Sequence, residues 1–314
     1  MSFVERQITV AIKLATNTQT NQPNKFSESG TDTVTLIGSR TSVRVTNSGS
    51  PVGGRAQVRI WGLTPSIMNQ LATLGLVVNL VPRNTVTVSA GDKGGSPSVV
   101  FSGTIWASYG DYTSQPDVPF ILECLSAGAE AVVPATASSF SGMTDVATIM
   151  SGIARQMNMG FENNGVSVQI SNPYYSGSAR EQARKCAEQA GINWGIDAKG
   201  LSIWPRGGNR NTPNVPVISP ATGMVGYPAF TQQGIIVRTL FNPQISFGSL
   251  IRVESDLLTG LKAAQGAQNA TSFPSQWAIN KLDLALDAYV PKGDWMSTIY
   301  AYNPGYAKSI IPPP

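Results

Sequence analysis

GIIVRTLFNPQISFGSLIRVES, residues 234–255, is the stretch whose reading decides the fold. Two β-prone runs flank a corner at Asn242-Pro243, and Gly248 stands at the mouth of the second run. Asn tolerates turn geometry and Pro fixes φ, so the reversal is stiff. A glycine inside a strand pattern lets the backbone bend. The passage reads as a hairpin, and no side chain in it does acid–base chemistry at neutral pH. Its clearest pattern therefore serves shape.

Sheet character extends outward from it in both directions. Ile8, Val10, Ile12 and Leu14 alternate on one face of Gln7–Leu14, and the same period recurs at 33–37, 41–46, 55–61, 84–90, 98–106 and 120–125. Ala278–Tyr289 and Trp295–Tyr302 are the last candidate strands. One helix interrupts the first sheet: Thr64 is its N-cap, Pro65 its first residue, and Ile67, Met68, Leu71 and Leu74 fall at helical spacing before Gly75. The middle third changes to helix. Val146, Ile149, Met150, Ile153 and Met157 form one stripe. A second helix opens with the capping-box pattern Ser178…Glu181, carries small residues on its inner face and stops at Gly191. Two short strands follow at 193–196 and 201–204.

The order is sheet, small helical insert, sheet, in an α+β, β-rich chain. We divide it into a first sheet domain with one short helix (1–135), a small α+β insert (136–208), a Gly/Pro/Asn-rich linker (209–222), a second sheet domain (223–303) interrupted by a loop at 256–276, and an extended tail (304–314). The tail ends in IIPPP, which neither helix nor inner strand accommodates.

Composition excludes most catalytic chemistry. The 314 residues contain no histidine, which removes Ser-His-Asp and Cys-His nucleophiles and most zinc sites. Cys124 and Cys186 read as buried thiols, compatible with a reducing cytoplasm, and neither cofactor nor metal is expected. PRGGNR lacks the lysine and the strand–helix frame of a phosphate loop and reads as linker. Glu123, Glu130, Asp283 and Asp287 are the acids available for a paired-carboxylate glycan hydrolase; Asp283 and Asp287 alternate with leucines as a strand's solvent face would. The six tryptophans suit core or interface anchors better than a stacking platform of a carbohydrate-binding protein. Charged residues are only 13%, which fits two readings, a surface largely covered in an assembly and a bland surface of a β-rich secreted or viral protein. The net charge of +4 is scattered, which gives no nucleic-acid patch, and no apolar run is long enough to span a membrane.

Three passages resemble the hub protein of contractile phage tail baseplates, related to the N-terminal part of VgrG-type spikes. They are VRIWGLTPSIMNQLATLG (58–75), the block from FSGMTDVATIM (140–150) through ARKCAEQAGINWGID (183–197) to LSIWP (201–205), and GYPAFTQQ (226–233) running into the opening quotation, followed by GDWMSTIYAY (293–302). Pro228, Leu240, Asn242, Pro243, Gly248 and Trp295 match the family's strand–corner–strand pattern and its late tryptophan strand, and with Val237 they are the candidate structural or interface residues. The loop at 256–276 is longer than that pattern needs. The resemblance implies two tail-tube-like β-barrel domains and a homotrimeric ring of pseudo-six-fold symmetry that joins the hexameric tail tube to the trimeric central spike. Implied with it are other baseplate proteins as partners, DNA passing the channel without sequence-specific binding, no stable membrane insertion, no enzymatic activity, and a place in the virion after synthesis in the host cytoplasm.

Overall fold

The structure is a computed structural model that describes residues 4–17, 22–49, 53–73, 84–231, 234–255 and 276–304. The Gly75 stop, nearly all of the expected loop at 256–276 and the IIPPP tail lie outside these residues.

Alternating burial builds the first half. Strands β1 (Arg6–Lys13), β3 (Thr41–Asn47), β4 (Gly54–Trp61) and β5 (Thr85–Asp92) each turn every second side chain inward: Ile8, Val10 and Ile12; Val43 and Val45; Ala56, Val58 and Ile60; Val86, Val88 and Ala90. Each fully buried Val or Ile contributes about 1.5–3 kcal/mol relative to exposure. Strands β2 (Thr33–Ile37), β6 (Ser98–Gly110) and β7 (Pro119–Leu125) complete the half. Between β4 and β5 lies α1 (Pro65–Leu71). The Thr64 hydroxyl accepts from the Ile67 N–H, Pro65 opens the helix, and Ile67 and Leu71 are buried beside β6.

The insert has its own core. The short helix α2 (Gly128–Val132) leads into it, and its elements are β8 (Ser138–Ser139), β9 (Met143–Asp145), α3 (Val146–Gln156), β10 (Phe161–Asn163), β11 (Gln169–Ser171), β12 (Tyr174–Tyr175), α4 (Ala179–Ala190), β13 (Ile192–Asp197) and β14 (Gly200–Pro205). The expected stripe of α3 is buried, and the small residues Ala179, Ala183, Cys186 and Ala187 of α4 let the two helices pack together. Ser178 accepts from the Glu181 N–H, while the Glu181 carboxylate turns to Lys185 at 3.2 Å. The helices cover a three-stranded sheet ordered β10-β14-β13.

The last third supplies β15 (Val217–Ile218), β16 (Ala229–Thr231), β17 (Gly234–Leu240), β18 (Leu250–Val253), β19 (Gln276–Ala288) and β20 (Trp295–Tyr302). The two runs of the opening stretch do not form the expected hairpin. β17 pairs with β16 and β20, whereas β18 pairs with β15 and β19, so β20 and β19 lie between them. Alternation sets which face a residue takes; it does not choose the neighbouring strand.

The two sheet-rich ends are one sheet. Its order is β16-β17-β20-β19-β3-β4-β7-β6-β5-β1-β2, with β18 and β15 attached at β19. The join is the antiparallel β3–β19 ladder, seven residue pairs from Leu282↔Asn47 to Ala288↔Thr41. One hydrophobic core runs from Ile8 to Ala301 through both halves. The sheet curls, so that β1 lies beside β19 and the Arg6 guanidinium sits 5.4 Å from the Trp295 ring. Among the described residues no ladder closes the curl, and the sheet ends in edges at β2, at β16 and, on the branch through β18, at β15.

Candidate functional site

The corner at 241–249 leaves the sheet and docks on the insert. Phe241 packs edge-on against Trp295, with ring centroids 5.7 Å apart, and donates its N–H to the Trp295 carbonyl. Asn242 Oδ1 accepts from the Gln244 N–H at 2.9 Å, and Ile245 donates back to the Asn242 carbonyl, so the asparagine templates the turn. Pro243 is exposed on the outside, and Ile245 is buried. Phe247 then reaches the insert, edge-to-face with Trp204 at 5.7 Å. Gly49 admits it from the sheet side: a Cβ there would stand 2.1 Å from Phe247 Cζ.

Gly248 has φ +80°, a conformation that costs other residues about 1–2 kcal/mol. Its N–H donates to Ile279 of β19, and its carbonyl accepts from the Arg210 N–H at 2.7 Å. One residue thus ties the sheet, the corner and the segment leaving the insert.

Arg210 is the electrostatic centre of this junction. Its side chain is 6% exposed and donates to Asp197 of β13 and to Glu162 of β10. Burial pulls the guanidinium's pKa down, but the two carboxylates more than reverse this and raise it. Burial alone would push the Glu162 carboxyl up; Arg210 and the Ser202 hydroxyl hold it below its ordinary value. PRGGNR is therefore no anion cradle: its one buried cation is already neutralised.

The expected interface residues divide. Val237 is 1% exposed and Trp295 7%, both within the core, while Leu240 is 45% exposed next to Gly223. Asn242, Pro243 and Gly248 shape the junction. Sequence reasoning missed Phe247, Trp204, Asp197, Glu162 and Arg210 as one cluster. The only signal was a lone aromatic in a turn-rich segment with no periodicity.

Asp283, Asp287 and Glu123 do not pair with one another. Asp287 is buried rather than on a solvent face, held by both nitrogens of Arg44 at 2.7 and 3.1 Å. Burial raises its pKa, but the bonds from Arg44, Ser42 and the Asp294 N–H outweigh burial and lower it. Asp283 pairs with Lys281 at 2.8 Å, and Glu123 accepts from Gln57 at 2.7 Å. Four residues along one strand put Asp283 and Asp287 about 13 Å apart, and β3 and β4 stand between β19 and Glu123 on β7. Glycosidase carboxylates sit about 5–9.5 Å apart. Glu130 is in the first turn of α2. Cys186 is buried, its pKa pushed up to about 11, and burial raises Cys124 further. Trp194, Trp204, Trp277 and Trp295 are buried, and Trp106 is exposed.

A family model described as baseplate hub gp41 matches residues 28–263, more than half of the chain. No curated protein matches. Among solved structures, the chain is similar to the prophage MuSo2 43 kDa tail protein from Shewanella oneidensis, with a TM-score of 0.56 at 10% identity over 95% of this chain and 97% of that one. It is equally similar to the tail protein from Neisseria meningitidis MC58, with a TM-score of 0.56 at 8% identity and the same coverage. It also resembles a chain of the Francisella PdpA–VgrG complex, with a TM-score of 0.54 at 8% identity over 96% of this chain and 58% of that one. The chain belongs to the baseplate hub gp41 family, a structural family of phage tail baseplates.

Proposed function

We propose that this baseplate hub family member works as a symmetry adaptor, three copies closing a ring that seats the hexameric tail tube on one side and the trimeric spike on the other. Each chain contributes two tube-like modules, the two halves of the continuous sheet, so that three chains present six around a channel. The insert at 136–208 projects from the ring. The DNA passes without base-specific contact, the adaptor contacts other baseplate proteins, and it acts without catalysis. It is made in the host cytoplasm and resides in the virion.

One observation carries this reading. The β3–β19 ladder joins the two halves edge to edge inside one polypeptide. A ring of six modules needs six such lateral joins, and the remaining three would form between chains. Closed rotational symmetry makes each of those the same contact. The edges at β2 and β16, the two ends of the eleven-strand path, are the borders proposed for it.

Native mass spectrometry tests the stoichiometry. The expected species has three times the 33.2 kDa chain mass, and electron microscopy of it shows a pierced disc. A monomer at all accessible concentrations, in the presence and absence of the spike protein, refutes the adaptor.

A further inference from the structure

A second surface lies at the opposite end of the strands from the point where β20 finishes. Trp61 at the end of β4, Pro65 and Met68 of α1, and Tyr112, Pro116 and Val118 line a cleft of about 370 Å³. Its main aromatic wall is braced: the Arg40 guanidinium stacks 4.5 Å from the Trp61 ring, the indole N–H donates to the Asp117 carbonyl, and Arg40 pairs with Asp117 at 2.9 Å. Tyr112 stands 65% exposed beside it. A held tryptophan and a free tyrosine face, flanked by prolines and a methionine, suit a ligand that offers ring faces and no backbone donors. Grooves lined by aromatic side chains take up proline-rich segments in this way, because their fixed φ leaves little entropy to lose.

The chain itself carries such a ligand at residues 310–314, Ile-Ile-Pro-Pro-Pro. We propose that the Trp61–Tyr112 cleft receives this segment from a second copy of the chain. Reach decides between the same copy and another. Tyr302 pairs with Ala278, whereas Trp61 lies one residue beyond Ile60, which is level with Thr41 and Ala288, and three strands away across β19, β3 and β4. Ten residues along the strands and three strands across amount to about 36 Å. The ten residues from 303 to 312 span at most about 33–36 Å when fully extended. β20 also runs away from the cleft, so the chain would first have to reverse. Full extension at best equals that span and the reversal uses part of the length, so the segment does not reach its own cleft and a neighbouring copy supplies it. This requires only that two copies meet, and it stands apart from the three-fold ring.

The test uses the full chain with Ile311 replaced by the photo-reactive p-benzoylphenylalanine. Isotopically heavy and light chains are co-refolded, irradiated and mapped by mass spectrometry. The expected cross-links join heavy to light chains and land on 61–69 or 112–118. Tyr112→Ser, at an exposed position that leaves packing intact, lowers their yield at least about fivefold. Cross-links confined to single chains, cross-links to other surfaces, no cross-links, or a yield unchanged by Tyr112→Ser each overturn the proposal.

Discussion

Replacing Arg210 with Met removes the guanidinium at the junction and keeps an unbranched stem of similar length. Asp197, 14% exposed, is left charged among the corner residues without its partner. Breaking a buried pair by removing one member costs about 3–5 kcal/mol. Asp197 keeps the bond from the Lys199 N–H at 2.8 Å, which moderates the loss. Glu162, 42% exposed, is simply rehydrated, and such a pair is worth about 0.2–1 kcal/mol. The net expectation is a loss of about 3 kcal/mol, equivalent to an opening of the junction roughly 100-fold more frequent. Hydrogen exchange read by mass spectrometry reports it directly. Amides of β13, β14 and β18 exchange roughly 100-fold faster in the variant, while β5, remote from the corner, keeps its protection. Adding Asp197→Asn removes the stranded charge and restores most of the protection; Glu162→Gln alone costs less than about 1 kcal/mol. Unaltered exchange in β13 and β14, or a double variant no better than Arg210→Met, refutes the reasoning.

Other outcomes follow from the same geometry. Gly248→Ala places a methyl 3.1 Å from both Trp204 and Arg210 at φ +80°, and a loss of about 2 kcal/mol or more in urea unfolding is expected; a loss below about 0.5 kcal/mol contradicts the junction as described. Pro243→Ala relaxes an exposed turn and costs at most about 1 kcal/mol, because Asn242 still templates the reversal; collapse of the fold by circular dichroism would contradict this. Glu162 and Asp287 have carboxyls held below their ordinary values, so the stability they contribute is complete above about pH 4 and is lost as pH falls towards their folded values. The melting midpoint is expected to be level from neutrality to about pH 5 and to drop below about pH 4, and Asp287→Asn lowers it at neutrality while shrinking the acid drop.

Much of the local structure was legible in the sequence. The alternation of β3, β4 and β5, the Thr64-Pro65 start of α1 and the apolar stripe of α3 each rest on neighbouring residues alone. Pairing was not legible, because partners lie far along the chain. β17 and β18 look like a hairpin until β20 and β19 are seen between them. Asp287 follows a solvent-face pattern, yet the β3–β19 register sets Arg44 diagonally opposite and buries the carboxylate. The junction was hidden for the same reason. Arg210 stands in a Gly- and Asn-rich run whose composition says linker, and its partners lie 13 and 48 residues away.

The seven-pair ladder between β3 and β19 also has a mechanical meaning. Traction parallel to the strands strains all of its rungs together, so none yields until the set shears. Traction at right angles would peel them singly from one end. A chain whose halves are spliced this way is stiff along one direction and weak along the other.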